Sequence, residues 1–398
     1  MSTRALALVG SLLLGGCVWS FPEPAARWPR PALGTPVWDG AVLRSATYDA
    51  AVSSGDVFVA VLQGVGRDEA LRPATEPTLR IFATSTRGGA ARELPASPLP
   101  ALPTRLWPAS GGVIAAQGTR AVRFDGAAWV ELPALPFITT DFMRGLEGGV
   151  VLLRQGTALR VLTGSGWQPL DVAAVPQQVT SAVFGPASSG EVRVIFTHGA
   201  DGLCTSAFSL PQLALTAAPS CLANQSELLG GEVANGTRDD FHAWSPGLVD
   251  LQLWHFAGGA WTRGSAVRGN RLRWTPDAPF AVASIDVTGS LAIQNLTRVV
   301  GGRATEALFV QSWELLGCDG APNVCARQVG FVHELVDTDG SAALFLFENI
   351  VDARRSLYLE RLPLPHRDGG ACTPTCGVGQ LCVRGSGIAN LCVADPSI

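Results

Sequence analysis

The chain contains no lysine, because all 29 of its basic residues are arginine. A phosphate-binding P-loop, Schiff-base catalysis and pyridoxal-phosphate attachment each need a lysine, so these three kinds of site are excluded. The formal net charge of −4 leaves no excess of basic groups to hold a phosphate backbone. We therefore expect no nucleic-acid partner.

Several patterns of helices and enzymes are also missing. No stretch sustains apolar residues at the spacings of an amphipathic helix, so we predict almost no helix. The five histidines lack metal-binding spacings such as His-x3-His, and no Gly-x-Ser-x-Gly nucleophile motif occurs. We predict no catalytic residue, no metal and no cofactor, and we favour a non-enzymatic role.

One pattern is present twice, in residues 111–132 and 148–170. Each copy has a Gly-Gly pair, an apolar run, a Gln-Gly-Thr triplet and a glycine turn before Trp129 or Trp167, which lie 38 residues apart. A third such turn precedes Trp261, about two repeats later. We expect each turn to follow the end of a strand. Each tryptophan should begin the next strand and pack over the neighbouring repeat.

These repeats resemble the loosely patterned Asp-Gly-x-x-Trp-x-x-Leu blades of secreted bacterial β-propellers. Strand-like runs bounded by Gly, Pro, Asn and Asp recur across 40–366, which predicts an all-β propeller of six to eight blades, with seven preferred. The last strand before Pro363 should pair with one near Val42 and close the ring. Arg123 and Arg160 each lie between two apolar residues, but not at the same position of the repeat. We therefore expect a one-residue slip or bulge in the second copy.

The N-terminus predicts export. Arg4 precedes an apolar stretch of ten residues, Ala5–Leu14, which is too short to span a bilayer, where roughly 20 are needed. Leu14-Gly15-Gly16-Cys17 resembles a bacterial lipobox. That resemblance implies a signal peptide over 1–16, cleavage between Gly16 and Cys17, and lipidation of Cys17. The alternative is an ordinary signal peptide with a chance cysteine.

Residues 17–39 are rich in proline, which predicts a semi-rigid tether between the lipid and the propeller. Val18 differs from the aspartate that commonly retains such lipoproteins on the inner membrane. We therefore expect attachment to the outer membrane through the lipid anchor, with the body facing the periplasm or the cell surface. We expect the protein to be a monomer.

Eight cysteines remain after Cys17, and they are expected to form disulfides in an exported chain. They fall into local groups: Cys204 with Cys221, Cys318 with Cys325, and Cys372, Cys376, Cys382 and Cys392. The last four lie in a small module, 367–398, that resembles the EGF-like or knottin-like appendages of exported bacterial proteins. We favour pairing 372 with 382 and 376 with 392, with free thiols or a zinc site as alternatives.

The most polar cluster in the body contains Asp239, Asp240 and His242. It is a weak candidate for a cation or ligand loop, and a solvated turn is the simpler interpretation. We expect a lipid-anchored scaffold that binds a protein or glycan through its propeller loops. The alternatives are a propeller hydrolase or lyase acting on polysaccharide, with carboxylates in the central funnel, and a structural envelope protein.

Overall fold

The computed structural model describes residues 35–40, 46–64, 77–170, 179–199, 202–223, 229, 236–246, 250–268, 271–273, 281–284, 293–300, 303–311, 329–336, 342–351, 354–363, 380–385 and 388–394. In these residues the regular structure is strand, with one 3-10 turn at Glu147–Gly149 and no α-helix. Over the same residues, no helix has the length and apolarity needed to cross a bilayer. The predicted all-β class is confirmed.

The strands of the described residues form seven four-stranded antiparallel units, which we call blades. Blade 1 contains β2 (Ala46–Ser53), β3 (Asp56–Gln63), β4 (Thr78–Ser85) and β5 (Arg92–Glu93). Blade 2 contains β6 (Arg105–Ala109), β7 (Gly112–Gln117), β8 (Arg120–Phe124) and β9 (Trp129–Glu131). Blade 3 contains β10 (Phe142–Gly145), β11 (Val151–Gln155), β12 (Ala158–Thr163) and β13 (Gly166–Pro169).

The later blades follow in the same order. Blade 4 contains β14 (Val179–Ala187), β15 (Glu191–His198), β16 (Gly202–Ser209) and β17 (Leu215–Leu222). Blade 5 contains β18 (Gly236–Thr237), β19 (Asp240–Pro246), β20 (Asp250–Ala257) and β21 (Ala260–Arg268). Blade 6 contains β22 (Arg271–Arg273), β23 (Ala281–Ser284), β24 (Ile293–Val300) and β25 (Arg303–Gln311). Blade 7 contains β26 (Val329–Val336), β27 (Ala342–Val351), β28 (Arg354–Pro363) and the N-terminal β1 (Trp38–Asp39).

The blades are arranged in a closed ring. Contacts join successive blades through β2 and β6, β6 and β10, β12 and β14, β17 and β21, β21 and β25, β22 and β26, and finally β26 and β2. The first strands of blades 2 and 3 pair in parallel at Gly145 and Ala109, so first strands line the central channel. Last strands such as β5 and β9 are mostly exposed and lie at the outside. The chain is a β-propeller, with the preferred seven blades.

The first and last blades are joined by β1. Trp38 lies opposite Leu357 and Asp39 opposite Ser356, so the predicted pairing with the last strand before Pro363 is confirmed, with the partner a few residues before Val42. The predicted tether thus contributes its last two residues to the ring.

A polar contact lies beside this closure, between the first strand of blade 1 and the second and third strands of blade 7. The hydroxyl of Tyr48 donates to Glu348, and Arg355 pairs with the same carboxylate at 3.0 Å. Burial, together with the bond to Glu348, raises the pKa of Tyr48 above its usual range. Closing the ring covers the apolar sheet faces of blades 1 and 7, which an open array of blades would leave exposed.

The hydrophobic cores lie between neighbouring blades, so each sheet is buried on both faces. In blade 2, Val122 and Phe124 pack towards blade 1, whereas Ile114 and Ala121 pack towards blade 3. Apolar residues can therefore point to either face of a strand, as in other sheets that are covered on both faces.

This arrangement corrects one expectation. The hairpin of β11 and β12 pairs continuously, in the same register as that of β7 and β8, so the expected slip or bulge is wrong. Leu159 and Val161 face blade 4, while Arg160 faces blade 2 and its guanidinium lies 5.9 Å from the Phe137 ring. The second copy keeps its register and directs its apolar residues to the other neighbour.

The repeated tryptophans have the role predicted for them. The indole N–H of Trp129 donates to the carbonyl of Pro95 at 2.8 Å, and that of Trp167 donates to the carbonyl of Pro133 at 3.2 Å. Both carbonyls belong to the end of the preceding blade. Trp261 packs in the core between blades 4 and 5. The second and third copies of the pattern therefore belong to blades 3 and 5, and blade 4 between them lacks the pattern.

The Gln-Gly-Thr triplets form the turns between the second and third strands of blades 2 and 3. Gly118 has a φ of 54° at the first central position, the position at which a type II′ hairpin turn needs glycine. The side-chain amide of Gln117 donates to the carbonyl of Pro100 at 2.9 Å and to the hydroxyl of Thr104 at 2.6 Å. Gln155 donates to the hydroxyl of Thr139 at 2.6 Å. Each glutamine thereby fixes the loop that leads from the preceding blade into its own blade.

The predicted disulfide between Cys204 and Cys221 is present and joins β16 to β17. The C-terminal module forms a hairpin of β29 (Gln380–Gly385) and β30 (Ile388–Ala394), which contacts β28 and β25. The backbone register of this hairpin sets Cys382 opposite Cys392. Cys318, Cys325, Cys372 and Cys376 lie outside the described residues, and the pairings proposed for them and for the C-terminal module stay predictions.

Candidate functional site

One mouth of the channel is formed by the turns that join the first and second strands of the blades. We call these the A–B turns, and the side of the ring that carries them the A–B face. The A–B turns of blades 1 to 4 surround a cavity of ≈330 Å³. The cavity is lined by Val52–Ser54, Pro108–Ser110, Arg144–Glu147 and Ala187–Ser189.

The serine of the first turn has an unusual backbone. Ser54 has a φ of 53° and the following Gly55 a φ of 80°, as expected for a two-residue type I′ turn. A non-glycine residue in this left-handed region is uncommon and is often found at ligand sites. In blade 2 the corresponding turn is Ser110-Gly111, with a φ of 73° at the glycine.

Hydroxyl groups tie the first two turns together. The buried Ser53 hydroxyl donates to the carbonyl of Ala109 at 2.6 Å, across the junction of blades 1 and 2. The Ser54 hydroxyl accepts a hydrogen bond from the amide of Gly111 at 3.1 Å. The two serine oxygens are 3.5 Å apart. Both hydroxyls are therefore held in place by main-chain groups of the next blade.

Blade 3 supplies the charged groups of the cavity. The amide of Ser110 donates to the carbonyl of Gly145 at 2.9 Å, and a Cβ at Gly145 would lie only 2.7 Å from that of Ala109. Glycine is required at this position because the inner strands of blades 2 and 3 approach so closely. The close approach places the half-buried Arg144 and the exposed Glu147 at the rim.

The cavity combines hydroxyls with a balanced pair of charges. Its serines are Ser53, Ser54, Ser110, Ser188 and Ser189. The charged groups among the lining residues, all of which are described, are one guanidinium and one carboxylate. Such a lining suits an uncharged or charge-balanced polar ligand better than an apolar one.

The predicted loop of Asp239, Asp240 and His242 lies in blade 5, and its polar groups are bonded within the protein. Asp239 forms an ion pair of 3.0 Å with the buried Arg193 of blade 4. Asp240 bonds at 2.7 Å to His255, and the His255 ring stacks on His242 with centroids 4.7 Å apart. The structure therefore places Asp239 in one contact and Asp240 and His242 in another.

Among the residues that the structure describes, no group of three His, Cys, Asp or Glu side chains could hold a metal ion. Cys17 and the cleavage site at Gly16 lie outside those residues. Their assignment stays a prediction.

The direction of β1 shows where the chain enters the ring. β1 runs from Trp38, opposite Leu357, to Asp39, opposite Ser356, and so points away from the end of β28 at Pro363. Pro363 pairs with Ala342, the first residue after the A–B turn of blade 7. The segment before Trp38 therefore approaches from the A–B face, the side that carries the cavity.

No protein-family model matches the sequence, and no curated protein matches it. Among solved structures it is similar to the tricorn protease, with a TM-score of 0.33 and 9% identity over 76% of this chain and 28% of that one. It is also similar to Hsv2 of Kluyveromyces lactis, with a TM-score of 0.42 and 10% identity over 80% and 98% of the two chains. A third is the dihydro-heme d1 dehydrogenase NirN, with a TM-score of 0.37 and 16% identity over 86% and 77%.

Two of these three proteins are named as enzymes and one is not, so their names do not distinguish binding from catalysis. This chain spans about a quarter of the length of the tricorn protease, which it covers to 28%. The fold assignment rests on the strand pairings described above.

The sequence contains a signal for the cavity outside the repeats that predicted the blades. The dipeptide Ser-Gly recurs at the A–B turns as Ser54-Gly55, Ser110-Gly111 and Ser189-Gly190. Each follows the first strand of a blade. Aligning the blades at their first strands would have brought these serines together as a candidate site.

Proposed function

We propose that the protein is an exported, lipid-anchored propeller that binds a protein or glycan at its A–B face and has no catalytic role. The observation that carries this proposal is the cavity at the channel mouth, which four different blades build together. Loops positioned by a rigid scaffold are where binding residues concentrate. A cavity of ≈330 Å³ falls at the lower end of the ~300–1,000 Å³ typical of ligand sites.

The predicted anchor is consistent with use of this face. Because the chain enters the ring from the A–B face, the tether that follows Cys17 would leave the propeller on the same side as the cavity. An extended polyproline segment over 18–37 would reach roughly 60 Å at ~3.1 Å per residue. We propose attachment to the outer membrane, with the binding face turned towards the anchor.

Polysaccharide hydrolysis is the alternative function. Glycoside hydrolases ordinarily use two carboxylates that flank the scissile bond. Glu147 is the one carboxylate among the lining residues, all of which are described. A hydrolase would need a second carboxylate from outside this lining, so binding is the function that the cavity supports better.

Site-directed photocrosslinking in the cells that make the protein tests the binding face. A photoreactive residue at Ser189, on the cavity rim, should form one discrete adduct. The same residue at Ile138, which is 77% exposed in the loop between β9 and β10 at the other face, should form none. Adducts from Ile138 alone would contradict the proposal.

Mass spectrometry of the membrane-extracted protein tests the anchor. We expect a mature chain that begins at an acylated Cys17 and fractionates with the outer membrane, and a Cys17→Ser variant that is released from it. An unmodified Cys17 in a chain that retains residues 1–16 would contradict the anchor.

A further inference from the structure

We infer that the cavity of the A–B turns takes a neutral, hydroxyl-rich ligand, namely one or two sugar residues of a glycan. This inference rests on the proposed function and deepens it by naming the class of ligand. The hydrogen-bonding capacity, the charge and the size of the cavity support it.

The two serines of blade 1 offer complementary hydrogen-bonding groups. A serine hydroxyl has one hydrogen to donate and two lone pairs to accept. Ser53 uses its hydrogen on the carbonyl of Ala109, so it offers a ligand its lone pairs. Ser54 accepts from the amide of Gly111, and its own hydrogen can turn either towards the Ser53 oxygen, which is 3.5 Å away at the limit of a hydrogen bond, or towards a ligand. A group that both donates and accepts matches this pair, and a sugar hydroxyl is such a group.

The opposite wall of the cavity repeats the pattern. The hydroxyl of Ser188 in blade 4 accepts from the amide of Gly190 at 3.4 Å, and a hydroxyl that accepts can still donate its own hydrogen to a ligand acceptor. Ser110 in blade 2 and Ser189 in blade 4 complete a lining that donates and accepts on several sides. A sugar ring, which carries hydroxyls on successive carbons, can form hydrogen bonds with several sides of the cavity at once.

The charges disfavour ionic ligands. A phosphate or carboxylate ligand would be attracted to Arg144 but repelled by Glu147, and a cation would meet the reverse. A neutral sugar meets neither penalty, because it carries no charge that either side chain could repel. The volume of ≈330 Å³ is small for a drug-sized ligand and suits one or two sugar rings.

Saturation-transfer NMR on the full-length protein tests the ligand class. The neutral probes are glucose, galactose, mannose, N-acetylglucosamine and its dimer. The charged probes are glucuronate and glucosamine. We expect at least one neutral sugar to give a signal and to bind more tightly than its charged counterpart. Binding of charged probes alone, or of none of the probes, would overturn the inference.

Three variants test the location. Ser54→Gly removes a hydroxyl where glycine suits the positive φ, and Ser188→Ala removes one from the opposite wall. Each should weaken sugar binding about threefold to tenfold, as expected for one lost hydrogen bond. Ser165→Ala, an exposed serine outside the cavity, is the matched control and should change nothing. Sugar binding that is equal in all three variants would place the site elsewhere and overturn the inference.

The two proposals fail separately. If crosslinks form from Ser189 while no neutral sugar binds, the A–B face is a binding face and the ligand class is wrong. If neutral sugars bind in a manner sensitive to Ser54 while no partner is trapped in cells, the ligand class stands without the cellular partner.

Discussion

Blades 2 and 3 are held together differently from blade 4. The strands of blade 2 have five, six, five and three residues, and those of blade 3 have four to six. The strands of blade 4 have nine, eight, eight and eight residues. The short blades carry the Gln-Gly-Thr turn and the bonded tryptophan, whereas blade 4 carries neither and has the Cys204–Cys221 disulfide.

This difference shows what the repeated motif does. A short strand makes few main-chain hydrogen bonds, so its blade needs side chains that fix it to the neighbouring loop and blade. Gln117 and Trp129 make such contacts with loops of the preceding blade. Longer strands supply the pairing themselves, and a covalent link fixes the outer strand. The motif is therefore structural, while the candidate site lies in the A–B turns.

Removing the disulfide should have the largest effect on stability. We expect Cys204→Ala combined with Cys221→Ala to lower the free energy of unfolding by about 3 kcal/mol, as calculated for a closed loop of this length. Denaturant unfolding measures the change. Adding reductant should not lower the stability of the variant further through this cysteine pair, because the pair is absent. An unchanged midpoint would mean that the long strands of blade 4 hold the outer edge unaided.

Removing the repeated tryptophan should weaken the short blades next most. Trp129 is partly buried against blade 1, so Trp129→Ala should cost about 2 kcal/mol, and Trp129→Phe, which loses only the bond to Pro95, about 1 kcal/mol. The neighbouring Val130 is 50% exposed, and Val130→Ala should cost under ~0.5 kcal/mol. Equal costs for all three variants would refute the bracing role.

The two Gln-Gly-Thr turns should differ in strength. Gln117→Ala should cost about 1 kcal/mol, because its amide bonds two carbonyls and the buried Thr104. Gln155→Ala should cost roughly half as much, since its amide bonds the exposed hydroxyl of Thr139. Unfolding of the two variants measures the difference, and a larger loss from Gln155→Ala would reverse this reading.

The smallest expected effect concerns the turn before Trp129 and depends on pH. The amides of Ala128 and Ala127 donate to Asp125 and hold the pKa of that carboxyl below its usual value. A lowered folded pKa stabilises the protein above the unfolded pKa of about 3.9. The contribution is lost as the pH falls through the folded value.

Replacing this aspartate should expose that dependence. The stability difference between the wild type and Asp125→Ala should be present at pH 7 and shrink below about pH 4. Thr163 occupies the matching position in blade 3, and its hydroxyl accepts from Ser165, so Thr163→Ala should give a difference that does not vary with pH. A pH-independent difference for Asp125→Ala would show that the carboxylate adds nothing beyond the turn.

Much of the fold could be predicted from local patterns, because each repeat encodes its own turns. The glycine turns and the tryptophans at 129, 167 and 261 marked blades 2, 3 and 5, and the spacing implied one unmarked blade between them. Blade 1 lacks the tryptophan turn and was predicted only through the strand-like runs within 40–366, although Glu93-Leu94-Pro95 recurs as Glu131-Leu132-Pro133 at the ends of blades 1 and 2.

The tryptophan repeats that marked the blades do not mark the candidate site. It joins Ser54, Ser110, Glu147 and Ser188, which are far apart in the chain and meet because blades 1 to 4 pack side by side around the channel. The predicted loop at Asp239 relied on polarity alone. Polarity does not reveal that a buried arginine of the neighbouring blade pairs with that carboxylate.

Closure of the ring by β1 is the central claim, and a designed crosslink tests it most directly. Asp39 and Ser356 lie opposite each other, their side chains bond at 3.0 Å, and the adjacent bond from Gly40 to Arg355 marks them as a non-hydrogen-bonded pair. Such pairs have Cα atoms about 4.5 Å apart, within the range of a disulfide.

The measurement is disulfide formation in the folded Asp39→Cys/Ser356→Cys variant, read by proteolysis and peptide mass spectrometry. We expect the crosslink to form under mild oxidation and to raise the unfolding midpoint, whereas Asp39→Cys/Ser165→Cys should form none. Failure of the 39–356 crosslink in folded protein would contradict a ring closed by its N-terminal strand.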